Sequence, residues 1–325
     1  MKLYGVIAIH VRGEELMRNP RFLDKVRLAF GGRPDLRSGR MRASIESAAI
    51  VDSVRGAMQR IGASNAVSLV IDDTVLFHDT RAEPDDLGDL FLAFHDNASV
   101  FGAGFDELRL AFEHHEGDLH LVAEVQARSE HVQHEPAVRV VVSGRIDALT
   151  PRAGEDADAF RSRAEPIATN RQVLEMYELQ FRNFVERLRD ALAGAMPTAR
   201  VEIAIAEPRV VRPGPEPREP APRASPHARD YDPYDAYYPS PLAAFAPLFL
   251  WSTLFSVGLP HHMTVVDTTN HTLGSSDDAG IDQATWTSDD TAWWSDDTGR
   301  SADAGSDGGW WDNFPGGLDG LDGFD

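Results

Sequence analysis

One long amphipathic helix is the sequence feature that most constrains the fold. Between Asn170 and Met196, apolar residues recur every three or four positions, which is the spacing of a single stripe along a helix. At 1.5 Å per residue the helix is roughly 40 Å long. Thr169 or Asn170 can cap its start, and Pro197 ends it. Because so long a stripe must be covered, we expect the helix to pack on a sheet. The stripe consists of Val173, Tyr177, Phe181, Phe184, Leu188, Leu192 and Ala195.

A β-hairpin supplies the clearest strand signal. Residues 108–116 and 119–127 both alternate between apolar and polar side chains, and a Gly-Asp pair joins them, which favours a type II′ turn. In that register His115 lies opposite His120. One face of the hairpin is then apolar and the other mostly polar, as in an antiparallel sheet with one face exposed to water. The polar face carries Arg109, Glu113, His115, His120 and Glu124.

The remaining N-terminal segments complete an α+β domain. We expect strands at 3–11, 138–147 and 201–206, a strand or tight hairpin at 67–79, and helices at 14–30, 44–61 and 85–95. Ser44 is the expected cap of the second helix. The sequence therefore predicts one α+β domain over residues 1–211, with a mainly antiparallel sheet covered by helices. Two similar halves divided near residue 80 are the alternative.

After residue 211 the composition changes three times. Residues 212–241 form a linker rich in Pro and then in Tyr, which we expect to be extended. Residues 242–259 are an apolar segment without a charge, which predicts either a helix that docks on the domain or a partner, or a membrane anchor. Residues 260–325 are rich in Asp, Gly and Trp, and too poor in aliphatic residues to build a core. We expect that tail to be disordered.

Charge and cysteine content narrow the class of protein. The net charge of −21 argues against a general nucleic-acid-binding protein. The tail from His261 onward holds fourteen Asp and one basic residue, Arg300. The chain has no Cys, and the short apolar run at residues 3–11 lacks a following cleavage site, so a signal peptide is not predicted. The expected location is cytoplasmic, with membrane association as the alternative, and the preference for Arg over Lys indicates a bacterial source.

A metal-binding cluster is the most specific site that the hairpin suggests. The predicted register brings together Glu113, His115 and His120. Two imidazoles and a carboxylate can bind Zn²⁺ or a similar divalent ion. The alternative is that a wet strand face simply accepts polar residues, with no metal bound.

The C-terminal tail suggests a protein-binding function. Aspartates keep such a segment soluble while aromatic residues anchor it in an interface. No GxSxG, HExxH or Walker pattern is present, so the chain is not predicted to be a common hydrolase or nucleotide enzyme. The leading hypothesis is a non-catalytic bacterial adaptor or scaffold. A cytoplasmic domain tethered to the membrane through 242–259 and a metal protein or enzyme using the hairpin are the alternatives. The candidate interaction residues are Trp286, Trp293, Trp294, Trp310, Trp311 and Phe314.

Overall fold

The computed structural model of the protein describes most of the first 278 residues. All described residues belong to one compact unit, Met1–Asp282. The described stretches are residues 1–11, 20–30, 38–80, 87–97, 104–129, 136–212, 226, 231–238, 245–257, 263–267, 270–276 and 278.

The strands of the described chain form one mixed sheet. They are β1 (Lys2–His10), β2 (Asn65–Ile71), β3 (Thr74–His78), β4 (Glu107–Glu116), β5 (Leu119–Arg128), β6 (Val138–Ile146), β7 (Arg200–Val211), β8 (Thr264–Val266) and β9 (Thr272–Ser275). Their order is β3-β2-β4-β5-β6-β1-β7-β8-β9. Neighbours are antiparallel except β7 and β8, which confirms the predicted α+β fold with a mainly antiparallel sheet. Because β2 pairs with β4, the parts of the chain on either side of residue 80 share one continuous sheet and lie in one compact unit.

Helices pack around this sheet. They are α1 (Pro20–Phe30), α2 (Gly39–Arg60), α3 (Leu90–Asp96), α4 (Ala157–Ala168), α5 (Arg171–Ala195), α6 (Pro233–Tyr237) and α7 (Phe245–Val257), with a short 3₁₀ turn at Asp147–Leu149. Helices α2 and α5 lie side by side against the strands. We call the side of the sheet that they cover the apolar face.

The long helix α5 is the predicted one. The Asn170 side chain accepts a hydrogen bond from the Val173 amide and caps its start. The predicted stripe is buried from Tyr177 to Leu192, while Val173 and Ala195 at its ends are only partly covered. At Gly5 in β1, an added Cβ would lie 3.3 Å from Phe181, so the missing side chain lets α5 approach the sheet closely.

The predicted β4–β5 hairpin is present, and residues 67–79 adopt the tight hairpin rather than the single strand that was its alternative. Strands β4 and β5 pair in the expected register, with His115 opposite His120, and Gly117 between them has φ +61°. Strands β2 and β3 turn at Asp72 and Asp73, whose φ values of 44° and 64° fit a type I′ turn.

Two helix predictions need correction. Helix α2 begins at Gly39 and is capped by Ser38, whose side chain accepts from the Met41 amide. The prediction that Ser44 caps it is wrong, because Ser44 is buried within the helix and its hydroxyl bonds the backbone of Phe105. Helix α4 was not predicted from the sequence, since it buries only Phe160, Ala164 and Ala168.

The packed structure continues past residue 211. Strands β8 and β9 extend the sheet beyond β7, although their residues fall in the segment predicted to be disordered. These strands are ordered because Val265 and Val266 of β8 are buried and the β8 backbone pairs with β7. Within the predicted apolar segment, α7 packs against α4 and β7, and the Phe249 ring meets that of Phe160 edge-on. The predicted tail from residue 279 onward lies outside the described residues.

In the part of the chain that the structure describes, no helix combines the length and the apolar composition required for a membrane crossing.

Candidate metal centre

The candidate site lies on the side of the sheet away from α2 and α5, which we call the polar face. The prediction that this face is exposed to water is wrong for most of it, although the His115 side chain does reach solvent. Glu124 is fully buried, Gln126 is 6% exposed, and the His120 side chain is 12% exposed. The reason is that residues 231–238, predicted to be part of an extended linker, cover it. We call these residues the tyrosine strap.

The tyrosine strap satisfies the buried carboxylate of Glu124. The hydroxyls of Tyr231 and Tyr237 donate to Glu124 Oε2 at 2.9 and 2.8 Å. The Gln126 amide donates to Glu124 Oε1 at 2.7 Å. A buried carboxylate is tolerated when donors surround it in this way. Around Glu124 the polar face is therefore an interior surface whose polar groups have partners on the strap.

Two carboxylates of the strap, Asp232 and Asp235, form ion pairs with Lys2 and Arg145 of the sheet. We call this arrangement the carboxylate clamp. Asp232 Oδ2 lies 3.2 Å from Lys2 Nζ and 2.8 Å from Arg145 Nη2. Asp235 lies 2.5 Å from each of the same two groups. Burial opposes ionisation of Asp232, but Arg145 and Lys2 outweigh it and hold the pKa of this carboxyl well below its usual range. The Arg145 guanidinium also lies 4.4 Å from the centre of the Tyr234 ring.

The three predicted metal ligands meet beside the clamp. Glu113, His115 and His120 each present one ligand atom within 4.8 Å of the other two. Glu113 Oε1 lies 2.6 Å from His120 Nε2 and 3.6 Å from His115 Nε2. The two imidazole rings stack in parallel with their centres 4.5 Å apart. His114, the neighbour in sequence, points to the apolar face and stacks on Phe184 instead.

Three further side chains hold the ligands in place. Tyr234 Oη lies 2.9 Å from His120 Nδ1, the ring nitrogen that faces away from Glu113. The Asn65 amide donates to Glu113 Oε2 at 2.9 Å. The Tyr238 hydroxyl also hydrogen-bonds to Glu113, and its ring meets that of His120 edge-on at 4.6 Å. Partners of this kind orient metal-ligating side chains in known sites.

The electrostatics of the cluster follow from these contacts. The hydrogen bond from His120 lowers the pKa of Glu113 and outweighs the opposing effect of burial. Burial and the Glu113 carboxylate together raise the pKa of Tyr238 well above its usual value. Glu113 is therefore an anion at neutral pH, next to two imidazoles. That is a negatively charged donor set for a cation.

The separations between the ligand atoms suit a small tetrahedral ion, but the two imidazole rings stack in parallel and must turn about their side-chain bonds before both nitrogens can point at it. Ligand atoms about 2.1 Å from a zinc ion lie roughly 3.4 Å from one another. The observed separations of 2.6 and 3.6 Å from Glu113 Oε1 bracket that value. The Tyr234 hydroxyl can donate to His120 Nδ1 or accept from it, so His120 can present an unprotonated Nε2 to a metal.

Cross-strand register was sufficient to bring these three ligands together, whereas the supporting residues were missed. Asn65 reaches Glu113 only through the pairing of β2 with β4. The four strap tyrosines were visible as a cluster in the sequence, but no periodic pattern connected them to the hairpin. The predicted interaction residues, from Trp286 to Phe314, lie outside the described residues, so their role stays a prediction.

A second acid on the polar face, the partly buried Glu107, predicts a pH dependence of stability. Burial raises the pKa of Glu107 to about 7, and Arg109 only partly opposes this. An unfolded Glu titrates near 4.3. Between these two pKa values Glu107 is protonated more in the folded state than in the unfolded state. Glu107 therefore destabilises the fold progressively as the pH rises from about 4.3 to 7. Glu107→Gln should raise the free energy of unfolding at pH 8 by about 1 kcal/mol, a value reduced for solvent screening, and should have little effect at pH 4.5.

Urea unfolding at the two pH values measures this difference. Glu175→Gln, which removes an exposed helical ion pair with Arg171, serves as the control and should change stability by well under 1 kcal/mol at both. A Glu107→Gln effect that is the same at pH 4.5 and 8 would contradict the assignment.

Comparisons of the chain with protein-family models, with curated proteins and with solved structures find no match.

Proposed function

We propose that this protein binds a divalent transition-metal ion, of which Zn²⁺ is the representative, through Glu113, His115 and His120. The observation that carries the proposal is the convergence of three ligand atoms within 4.8 Å on one rigid hairpin. Two imidazoles with one carboxylate form a donor set that zinc and ferrous iron both accept in proteins.

Access and support also favour a metal site. The His115 side chain is 59% exposed, so an ion can enter from solvent on that side. His120 is held by Tyr234 from the other side. Because His115 is exposed to solvent and His120 is fixed by Tyr234, an ion can enter the site without rearrangement of the strands.

The surroundings favour a binding role over a catalytic one. The tyrosine strap covers the buried side of the cluster, and its phenols and the clamp carboxylates have partners within the fold. We therefore propose that the ion stabilises the junction between the hairpin and the strap. This is a metal-binding module in which no reaction is assigned to the ion.

Metal titration tests the proposal directly. The full chain should bind Zn²⁺ with one ion at this site, measured by calorimetry in competition with a chelator of known affinity. His115→Ala and His120→Ala should each weaken that binding by roughly 100-fold, because each removes one of three protein ligands.

The matched control is His95→Ala. His95 has a side chain 56% exposed, close to the 59% of His115, and is not part of the cluster. Its substitution should leave zinc binding unchanged. Titration curves for His115→Ala and His120→Ala that overlay the curve of the unmodified chain would overturn the proposal.

A further inference from the structure

One of the candidate metal ligands, His120, lies directly beside the cations of the carboxylate clamp. His120 on β5 is paired with Arg145 on β6, and Arg145 is paired in turn with Lys2 on β1. Side chains that face each other across antiparallel strands have Cβ atoms about 4.5–5.5 Å apart. A metal ion bound at His120 would therefore be repelled by two nearby positive charges unless anions offset them.

The clamp supplies those anions. Asp232 and Asp235 each pair with both Lys2 and Arg145, at distances of 2.5–3.2 Å, so the carboxylates and the cations are equal in number. The Asp232 side chain is 2% exposed, and salt therefore screens its charge only weakly. The strap thus cancels the positive charge next to the metal cluster for as long as it is docked.

Tyr234 connects the clamp to the cluster by direct contacts. Asp232 accepts a hydrogen bond from the Tyr234 amide at 3.0 Å through Oδ1, while its Oδ2 faces the cations. The centre of the Tyr234 ring lies 4.4 Å from the Arg145 guanidinium, and the hydroxyl lies 2.9 Å from His120 Nδ1. The same tyrosine therefore touches the clamp with its backbone and ring, and the metal ligand with its hydroxyl.

We propose that the carboxylate clamp controls the metal affinity of the cluster, with Tyr234 as the positioning residue that links the two. This inference rests on the proposed function. The clamp acts by offsetting the positive charge beside His120, and by holding Tyr234 where it orients the His120 ring. Both effects operate with the Tyr234 hydroxyl neutral. Because a closed clamp raises the affinity for the ion, a bound ion must favour the closed clamp by the same factor.

Two substitutions separate the charge of the clamp from the link. Asp232→Asn keeps the size of the side chain and an oxygen that can accept from the Tyr234 amide, but it removes the charge. Tyr234→Phe keeps the ring over Arg145 and removes the hydroxyl that reaches His120. Each should weaken Zn²⁺ binding to the full chain by roughly 10-fold or more, measured by competition with a chelator.

Each substitution has a matched control. Glu207→Gln makes the same change of charge, but Glu207 pairs with Arg209, which is paired with Lys2 on the side away from the cluster. Tyr237→Phe removes a hydroxyl from the same strap, and this hydroxyl bonds to Glu124. Both control variants should bind Zn²⁺ within about 3-fold of the unmodified chain.

Hydrogen exchange on the unmodified chain gives an answer even where a variant folds poorly. Saturating Zn²⁺ should slow exchange of the Tyr234 and Tyr238 amides, whose hydrogen bonds lie within the strap, by roughly 10-fold or more. The inference is overturned, while the three-ligand site stands, if either Asp232→Asn or Tyr234→Phe binds Zn²⁺ as tightly as the unmodified chain. Strap amides that exchange equally fast with and without bound Zn²⁺ overturn it as well. An unmodified chain that binds no Zn²⁺ overturns the proposed function itself.

Discussion

Replacing Phe181 with alanine should lower the free energy of unfolding by about 3–5 kcal/mol. Phe181 is fully buried at the middle of α5, and its ring lies over Gly5 of β1, where a Cβ would be 3.3 Å away. The glycine leaves no side chain that could move into the space, and the neighbouring backbone is fixed in the centre of the sheet. The truncation should therefore leave a cavity, which adds to the lost transfer free energy of the ring.

Urea unfolding monitored by circular dichroism measures the effect. Leu179→Ala, two residues away on the same helix, is the control because Leu179 is 59% exposed. Its effect should be within about 0.5 kcal/mol. Equal losses in the two variants would mean that α5 is not held by packing on the sheet.

Replacing Arg145 with methionine should also cost about 3–5 kcal/mol. The guanidinium is buried and lies 2.8 Å from Asp232 and 2.5 Å from Asp235. Methionine keeps an unbranched apolar stem but is shorter than arginine and carries no charge. Asp232, whose side chain is 2% exposed, is then left with Lys2 as its remaining cationic partner in the clamp. The large expected loss arises mainly because the buried Asp232 carboxylate would have too little positive charge beside it.

Arg182→Met provides the comparison, because Arg182 forms an exposed ion pair with Glu178 on the outside of α5. That substitution should change stability by about 0–1 kcal/mol. Hydrogen exchange shows where the structure is loosened. The backbone amides of the strap should exchange faster in Arg145→Met than in the unmodified chain. A variant that loses less than about 1 kcal/mol would show that the clamp contributes little beyond a surface ion pair.

Periodicity was sufficient to predict the elements that pack on one another. The stripe from Tyr177 to Leu192 identified α5, and the alternation around the Gly-Asp turn fixed the register of β4 and β5. Both patterns repeat over at least nine residues and depend on one partner surface. Ser38 was missed as the cap of α2 because the helix was predicted to begin at residue 44, where Ser44 is also a residue type that caps helices.

The cover of the polar face could not be predicted from the same patterns. Alternation shows which side chains share a face, but not whether water or protein lies on it. Glu124 and His120 are compatible with either environment, and they are buried only because Tyr231, Tyr234 and Tyr237 supply partners. Those partners come from more than 100 residues away and follow no helix or strand period. The candidate metal ligands were found because they lie within a single hairpin.

The contacts of Lys2 have a consequence for the order in which the chain folds. This residue, in the first strand, bonds to Asp232, Asp235 and Asn270, which follow it by 230, 233 and 268 residues. Contacts between such distant residues form late, since the intervening loop must first close. During synthesis the central strands are therefore complete while the strap and β8–β9 are still being made. Until the strap is made, the polar face of the sheet is uncovered, and its charged and hydrogen-bonding groups can be solvated by water. An apolar surface exposed for the same time would promote aggregation.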